Sequence, residues 1–328
     1  MSEIISATKR AQLGYEATPG TAATVKTKLN AISLSLAPNP ELSSIKPSGS
    51  RYPTGSYVKR EWGKMSLSGM LDYNEIAYIL ESAHKKVTAS GTGAAKTRAI
   101  VPSTAAQDTH ATYTVELGDT DKAIRGTYGV ITQYKLAFSR TADGSISGSG
   151  ITKAIEDGIT YTASGVSAPK QALILPDHWS IYLEDAYADL LTGDELDRVF
   201  SASIESPEMV GNIWPLKRSS NSFDGLIDKS LDNFLFRLTM AYDTVGSALL
   251  AAMRAQNGIK YLMVEAKGEE IETGVNYLLR YRAPVSVKGM GELKDSDGIW
   301  GCEWQLQAVD DGTNKLTIDL INELATIA

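Results

Sequence analysis

Residues 30–37, Asn-Ala-Ile-Ser-Leu-Ser-Leu-Ala, set Ile32, Leu34 and Leu36 on one side of an extended chain and Ser33 and Ser35 on the other. A period of two fits a half-buried β-strand and misaligns on a helix. The same pattern returns at Phe200-Ser-Ala-Ser-Ile204, with Ser201 and Ser203 on the polar side.

What surrounds these strands returns as well. A Pro/Gly/Ser-rich excursion follows each, at 38–57 and at 207–230. Met65-Ser-Leu-Ser-Gly-Met-Leu-Asp72 then aligns without a gap on Phe236-Arg-Leu-Thr-Met-Ala-Tyr-Asp243. Each runs into a helical pattern, Asn74–His84 and Val245–Gln256, with Asp72 and Asp243 where an N-cap belongs. Tyr113-Thr-Val-Glu-Leu pairs with Leu262-Met-Val-Glu-Ala, and two long strands close each half: Tyr128–Ser139 with Gly144–Thr152, and Tyr277–Met290 with Ile299–Val309. Four blocks in one order predict a tandem duplication, with copies at 1–160 and 161–328 and a linker at about 153–180. The 328 residues suit two such units, each large enough for its own core. The expected class is mainly β, with one helix packed on a sheet in each copy. Residues 87–110, small and aperiodic, read as a long surface loop.

The charge narrows the function classes. Residues 1–164 carry 18 Lys+Arg and 14 Asp+Glu, a balance of +4; residues 165–328 carry 14 and 25, a balance of −11. Like charges are nowhere clustered, so stable binding of a duplex, which needs a basic patch, is not expected. The apolar runs are too short to span a bilayer, and the basic residues at the N-terminus follow its apolar pair, opposite to a secretory signal. A soluble protein made in a reducing cytoplasm is the expectation. With one cysteine, Cys302, no internal disulfide is possible.

Catalytic signatures are lacking. His84, His110 and His178 share no ligand spacing with one another or with Cys302, so neither zinc nor another cofactor is expected. His84 falls at a helix end, where a cation would complement the dipole. Ser90-Gly-Thr-Gly-Ala-Ala-Lys-Thr97 fails as a phosphate loop because Ser90 and Ala95 stand where glycine is required and no apolar strand precedes it. Acidic pairs such as Asp194/Glu195 fall in turns. Trp300 and Trp304 alternate with Cys302 and read as core, which leaves Trp214 as the tryptophan placed for a partner.

One phrase carries a family likeness. Leu13-Gly-Tyr-Glu-Ala-Thr-Pro-Gly-Thr-Ala-Ala23 resembles the opening segment of phage tail tube proteins, with Gly14, Glu16, Gly20, Thr21, Ala22 and Ala23 as the matching positions. The resemblance implies a mainly β tail-tube fold, a β-sandwich or partial barrel with a flanking helix. It also implies rings of subunits stacked into the hollow tube of a virion. Two fused copies imply a homotrimer with pseudo-sixfold symmetry, the alternative being a homohexamer. The implied partners are the tape measure protein, the tail terminator and the tail-tip proteins, with DNA in transit and no catalysis.

The polar sides of the alternating strands are the candidate lumen face: Ser33, Ser35, Lys64, Ser66, Ser68, Gln133 and Lys135 in the first copy. In the second they are Ser201, Ser203, Arg237, Thr239, Ser286, Lys288, Glu303, Gln305 and Gln307. Met70, Ala137, Leu235 and Ala241 dilute the pattern. Tyr52, Tyr57, Trp214 and Arg218, in the two excursions, are candidates for contacts between stacked rings, since aromatics and arginine dominate interfaces. Long strands free of proline until Pro284 would leave open edges that neighbouring subunits can cover. A different class, a β-sandwich that binds carbohydrate or a cell surface through exposed tryptophans, fits the same composition.

Overall fold

The computed structural model describes residues 10–216, 220–255, 258–296 and 298–327. The chain is mainly β, 52% strand and 9% helical, with a large antiparallel sheet and, among the described residues, two α-helices. Residues up to 159 supply β1 (Arg10–Tyr15), β2 (Thr27–Lys28), β3 (Ile32–Ile45), β4 (Gly55–Met70), α1 (Ile76–Ala83), β5 (Lys96–Ile100), β6 (Tyr113–Gly118), β7 (Ala123–Ser139), β8 (Ala142–Thr152) and β9 (Glu156–Ile159). The remainder supplies β10 (Trp179–Glu184), β11 (Val199–Glu205), β12 (Val210–Ile213), β13 (Gly225–Asp228), β14 (Leu235–Ala241), α2 (Thr244–Arg254), β15 (Ile259–Glu272), β16 (Val275–Met290), β17 (Lys294–Ser296), β18 (Ile299–Ala308) and β19 (Thr317–Asn322).

Eight strands lie side by side in one layer. Following the registers, the order is β3-β4-β8-β7, then β11-β14-β18-β16, all antiparallel. The seam between the two sets is β7 against β11, from Ser139 opposite Ser201 to Lys135 opposite Glu205. Behind this layer the long strands β7 and β16 do double duty. Their N-terminal halves pair with β6 and β9, and with β15 and β19, while their C-terminal halves remain in the front layer. The burial pattern of β7 follows: continuous where it is covered on both faces, alternating once it enters the front layer. α1 packs against β7 and α2 against β16.

The core is shared by both halves. Phe138 of β7 stacks on Trp179 of β10, with ring centroids 3.6 Å apart, behind the β7–β11 seam. The Tyr134 hydroxyl meets that of Tyr281 at 3.2 Å and His84 Nε2 at 2.7 Å. Gly148 sits where β8 crosses β7 so closely that a Cβ would come within 2.4 Å of the Gln133 carbonyl oxygen.

Several expectations need correction. The 38–57 excursion is not a loop: β3 and β4 continue as a long hairpin arm, paired from Pro38 opposite Gly63 to Ile45 opposite Gly55. Pro38 and Pro40 are tolerated because β3 pairs on one side only, so their missing N–H groups leave no donor unmatched across a second ladder. The 207–230 excursion also contains a hairpin, β12 with β13, which stands apart from the main sheet. Within 87–110, β5 pairs with β19 and buries Arg98, which donates to Glu81 Oε1 at 2.7 Å and Asn322 Oδ1 at 2.8 Å. The 153–180 segment contains β9, paired with β7. Asp243 caps α2 by accepting from the Val245 and Gly246 amides. Asp72 caps the turn that leads into α1, accepting from the amides of Asn74 and Glu75, and it also holds the Ala172 amide.

Candidate functional site: a polar sheet face between two open edges

The registers place fifteen of the sixteen candidate lumen residues on one face of the eight-stranded layer, and Lys288 lies in a bulge at its end. Ser33 lies opposite Ser68, and Ser35 opposite Ser66; Lys64 extends the row on β4. Ser66 and Ser68 face Ser149 and Ser147 of β8, which in turn face Gln133 and Lys135 of β7. Across the seam, Ser201 and Ser203 oppose Thr239 and Arg237, and these oppose Glu303 and Gln305. Gln307 meets Ser286, and Lys288 rises from the bulge between Val287 and Gly289. Ser145, Ser147, Ser149 and Glu205 belong to the same face and were not among the candidates. The alternation in Gly144-Ser-Ile-Ser-Gly-Ser-Gly150 was the available signal for the serines.

Apart from the exposed Lys64 and Gln133, side chains on this face are short or held by a partner. Lys135 Nζ lies 2.7 Å from Glu205 Oε1; Arg237 bridges Glu205 at 2.9 Å and Glu303 at 2.8 Å. Lys288 Nζ donates to Asn233 Oδ1 at 2.6 Å. Partial burial works against ionisation of Glu205, but hydrogen bonds from Lys135 and Arg237 prevail and hold its carboxyl below the usual range. The opposite face is apolar and buried: Leu34, Leu36, Met65, Leu67, Leu136, Ala202, Ile204, Phe236, Leu238, Trp304 and Leu306.

Two edges of the layer have no partner strand among the described residues. β3 pairs with β4 alone, so its outer side is open along Ser33–Ala37 and beyond. At the other end, β16 leaves β15 at Ser286, and from Val287 through β17 the chain pairs only with β18. Exposed apolar side chains collect beside both edges: Leu42, Ile45, Tyr52 and Tyr57 on the arm, Leu293, Ile299 and Trp300 around β17.

The aromatic candidates separate. Tyr52 is 78% exposed and Tyr57 53%, near the tip of the arm. Trp214 is not free: it meets Trp62 edge-on at 5.5 Å, packs on Phe223, and lies under the Arg60 guanidinium. Arg218 lies outside the described residues. Trp300, read as core from its alternation with Cys302, is 67% exposed, whereas Cys302 and Trp304 are buried. It lies at the start of β18, where the facing strand is only the short β17.

The family-like phrase has a structural job. Glu16 is buried, and its carboxylate accepts from the Gly20 amide at 2.8 Å, the Tyr128 amide at 2.8 Å and the Thr114 hydroxyl at 3.0 Å. Gly20 turns the chain at φ +80°. Gly14 lies flush against the Thr24 carbonyl, where a Cβ would come within 2.6 Å. Thr21, Ala22 and Ala23 lead that turn back toward β2, the Ala23 amide donating to the Thr114 hydroxyl at 2.8 Å.

His84 also differs from expectation. It is fully buried, and desolvation above all, with His110 nearby, pushes its imidazole down to about 3. It is therefore neutral and cannot answer the helix dipole as a cation. Burial likewise raises the Cys302 thiol, which suits a packing role. Among the described residues no cluster of three His, Cys, Asp or Glu side chains has metal-binding geometry, and no helix is long and apolar enough to cross a membrane. No protein-family model and no curated protein matches the chain.

Proposed function

We propose that the chain is a self-assembling structural protein, the tube subunit of a non-contractile phage tail, built from two copies of one tube domain at 1–160 and 161–328. The observation that carries this reading is the β7–β11 seam. There the trailing edge of one four-strand set pairs with the leading edge of the next. The same two kinds of edge are left open at β3 and at β16/β17.

The correspondence is close in register. Ser33–Ala37 of β3 align on Ser201–Glu205 of β11, and in both the next few residues bring proline: Pro38 after Ala37, Pro207 after Ser206. The contact made once inside the chain can therefore be repeated between chains, head to tail. Such a heterologous contact closes a ring when the rotation permits. Three chains then give a ring of six equivalent sheet segments and remove every open edge in the layer.

The polar face supports the assignment of a lumen. It has no exposed aromatic platform, its Lys135, Glu205, Arg237 and Glu303 charges neutralise one another, and the two further lysines, Lys64 on β4 and Lys288 on β16, stand at opposite ends of the layer and form no basic cluster. A surface of small hydroxyls offers a passing polyanion little to hold. The tape measure protein and the genome would pass along it, with the terminator and tail-tip proteins at the two ends of the tube.

Light-scattering masses over a concentration series test the reading. Species at three chains and at multiples of three are expected. A carbohydrate-binding module predicts a monomer at every concentration whose melting temperature shifts with glycan.

A further inference from the structure

In the second half, the 206–234 excursion does not continue straight from β11. It leaves the sheet at Ser206, whose amide donates to the Tyr134 carbonyl at 2.9 Å, and folds over the first half. The Met209 amide reaches the Thr132 carbonyl at 2.8 Å, and the Glu61 amide reaches the Asn221 carbonyl at 2.9 Å. Trp214 is then enclosed by Trp62, Phe223 and Arg60, and Phe223 rests on Tyr128. The site that receives this excursion is formed by the base of β4 and the chain just after β8.

The same place exists in the second half and is open. Met65 pairs with Gly150 and Phe236 with Leu306. On that register Leu231, Asp232 and Phe234 stand where Arg60, Glu61 and Gly63 stand in the first half, and Val309 stands where Lys153 does. Leu231, Asp232, Phe234 and Val309 line a groove of about 480 Å³ together with Lys229, Asp310, Lys315 and Leu316, and residues 102–104 of the first half form part of its wall. The outer part of the arm, residues 38–57, is the first-half counterpart of the excursion and makes no such docking among the described residues. It stands away from the body with Leu42, Ile45, Tyr52 and Tyr57 exposed.

We infer that the groove at Leu231–Phe234 and Val309–Leu316 receives the outer part of the arm, residues 38–57, of a second copy of this chain, the lateral neighbour in the ring. The assignment rests on the head-to-tail assembly proposed above and adds which segment locks it. The groove's Asp232 and Asp310 are balanced by Lys229 and Lys315, so the match is apolar: Leu231, Val309 and Leu316 in the groove against the exposed Leu42, Ile45 and Tyr52 of the arm. The arm is thus an in-ring clamp, and Tyr52 and Tyr57 contact a neighbour in the same ring.

The test is chemical cross-linking of the full chain. Lys46 and Asp232 are both exposed, so the double variant Lys46→Cys, Asp232→Cys leaves the monomer fold intact. The assembled protein is treated with a flexible bismaleimide and run on a denaturing gel, with each single variant as control. The expected result is a ladder that stops at the closed trimer in the double variant, with neither single variant cross-linking beyond dimer. Trimers seen by light scattering without cross-linking overturn the arm assignment and leave the ring standing. A ladder that continues past the trimer places the arm on a stacked ring and also overturns the in-ring assignment. Absence of trimers at every concentration overturns the ring itself, and the clamp with it.

Discussion

Lys135 and Glu205 face each other at the last register of the β7–β11 ladder, with ammonium and carboxylate 2.7 Å apart. They come from opposite halves of the chain, and Arg237 reaches the same carboxylate from the neighbouring strand. One residue therefore ties the seam to the strand beyond it.

Glu205→Gln should weaken the fold modestly, because both cations are partly solvated. About 0.5–1 kcal/mol is expected once solvent screening is allowed for. The sign with pH follows from the depressed carboxyl. Its contribution is present above the ordinary glutamate range and is lost as pH falls through the lower folded value. Urea melts at pH 7 and pH 3 should differ more for the wild type than for the variant.

His84 acts in the same direction, at milder pH. Its folded value near 3 lies below the unfolded value of 6.5, so the unfolded chain binds the extra proton. Stability attributable to it is complete above pH 6.5 and declines by about 1.4 kcal/mol per unit below that. Between pH 6.5 and pH 5, wild type should lose roughly 2 kcal/mol more than His84→Gln. Equal slopes for the two proteins would show that His84 is protonated in the fold.

Glu16→Gln replaces a buried carboxylate that accepts from three donors with a group that must present an amide to one of them. A loss of about 2–4 kcal/mol is expected. Thermal unfolding measures it, and hydrogen exchange should show the Gly20 and Tyr128 amides losing protection first.

Trp214 and Tyr52 should behave differently in the monomer. Trp214→Ala removes a ring packed on Trp62 and Phe223, and should cost about 2–3 kcal/mol and expose β12–β13 to proteolysis. Tyr52→Ala removes a ring that is 78% exposed in the isolated chain and should change its stability by less than about 0.5 kcal/mol. The same substitution should raise the concentration at which trimers form.

The strands that alternate strictly were legible in the sequence, because one buried side and one wet side leave a period-two trace in β3, β4, β11 and β14. The polar face came with them. β5 left no such trace: Lys-Thr-Arg-Ala-Ile buries Arg98, a choice that makes sense only when Glu81 and Asn322 arrive from 17 and 224 residues away. Continuation of β3 past Pro38 and Pro40 was hidden for a related reason, since proline is permitted only on an edge and edges are set by tertiary pairing. Trp300 and Cys302 show the limit of alternation. It reports which residues share a face, and says nothing about where along the strand the cover over that face ends. Trp214 was recognised as a contact residue, but its partner proved to be the chain's own first half.

The most direct test of the ring is electron microscopy of the purified chain in negative stain, from dilute to concentrated solution. The account predicts hollow particles whose projections have threefold symmetry with six similar lobes, stacking into tubes as concentration rises. Solid monomeric particles at every concentration, with and without added tail-tip proteins to initiate assembly, would contradict it.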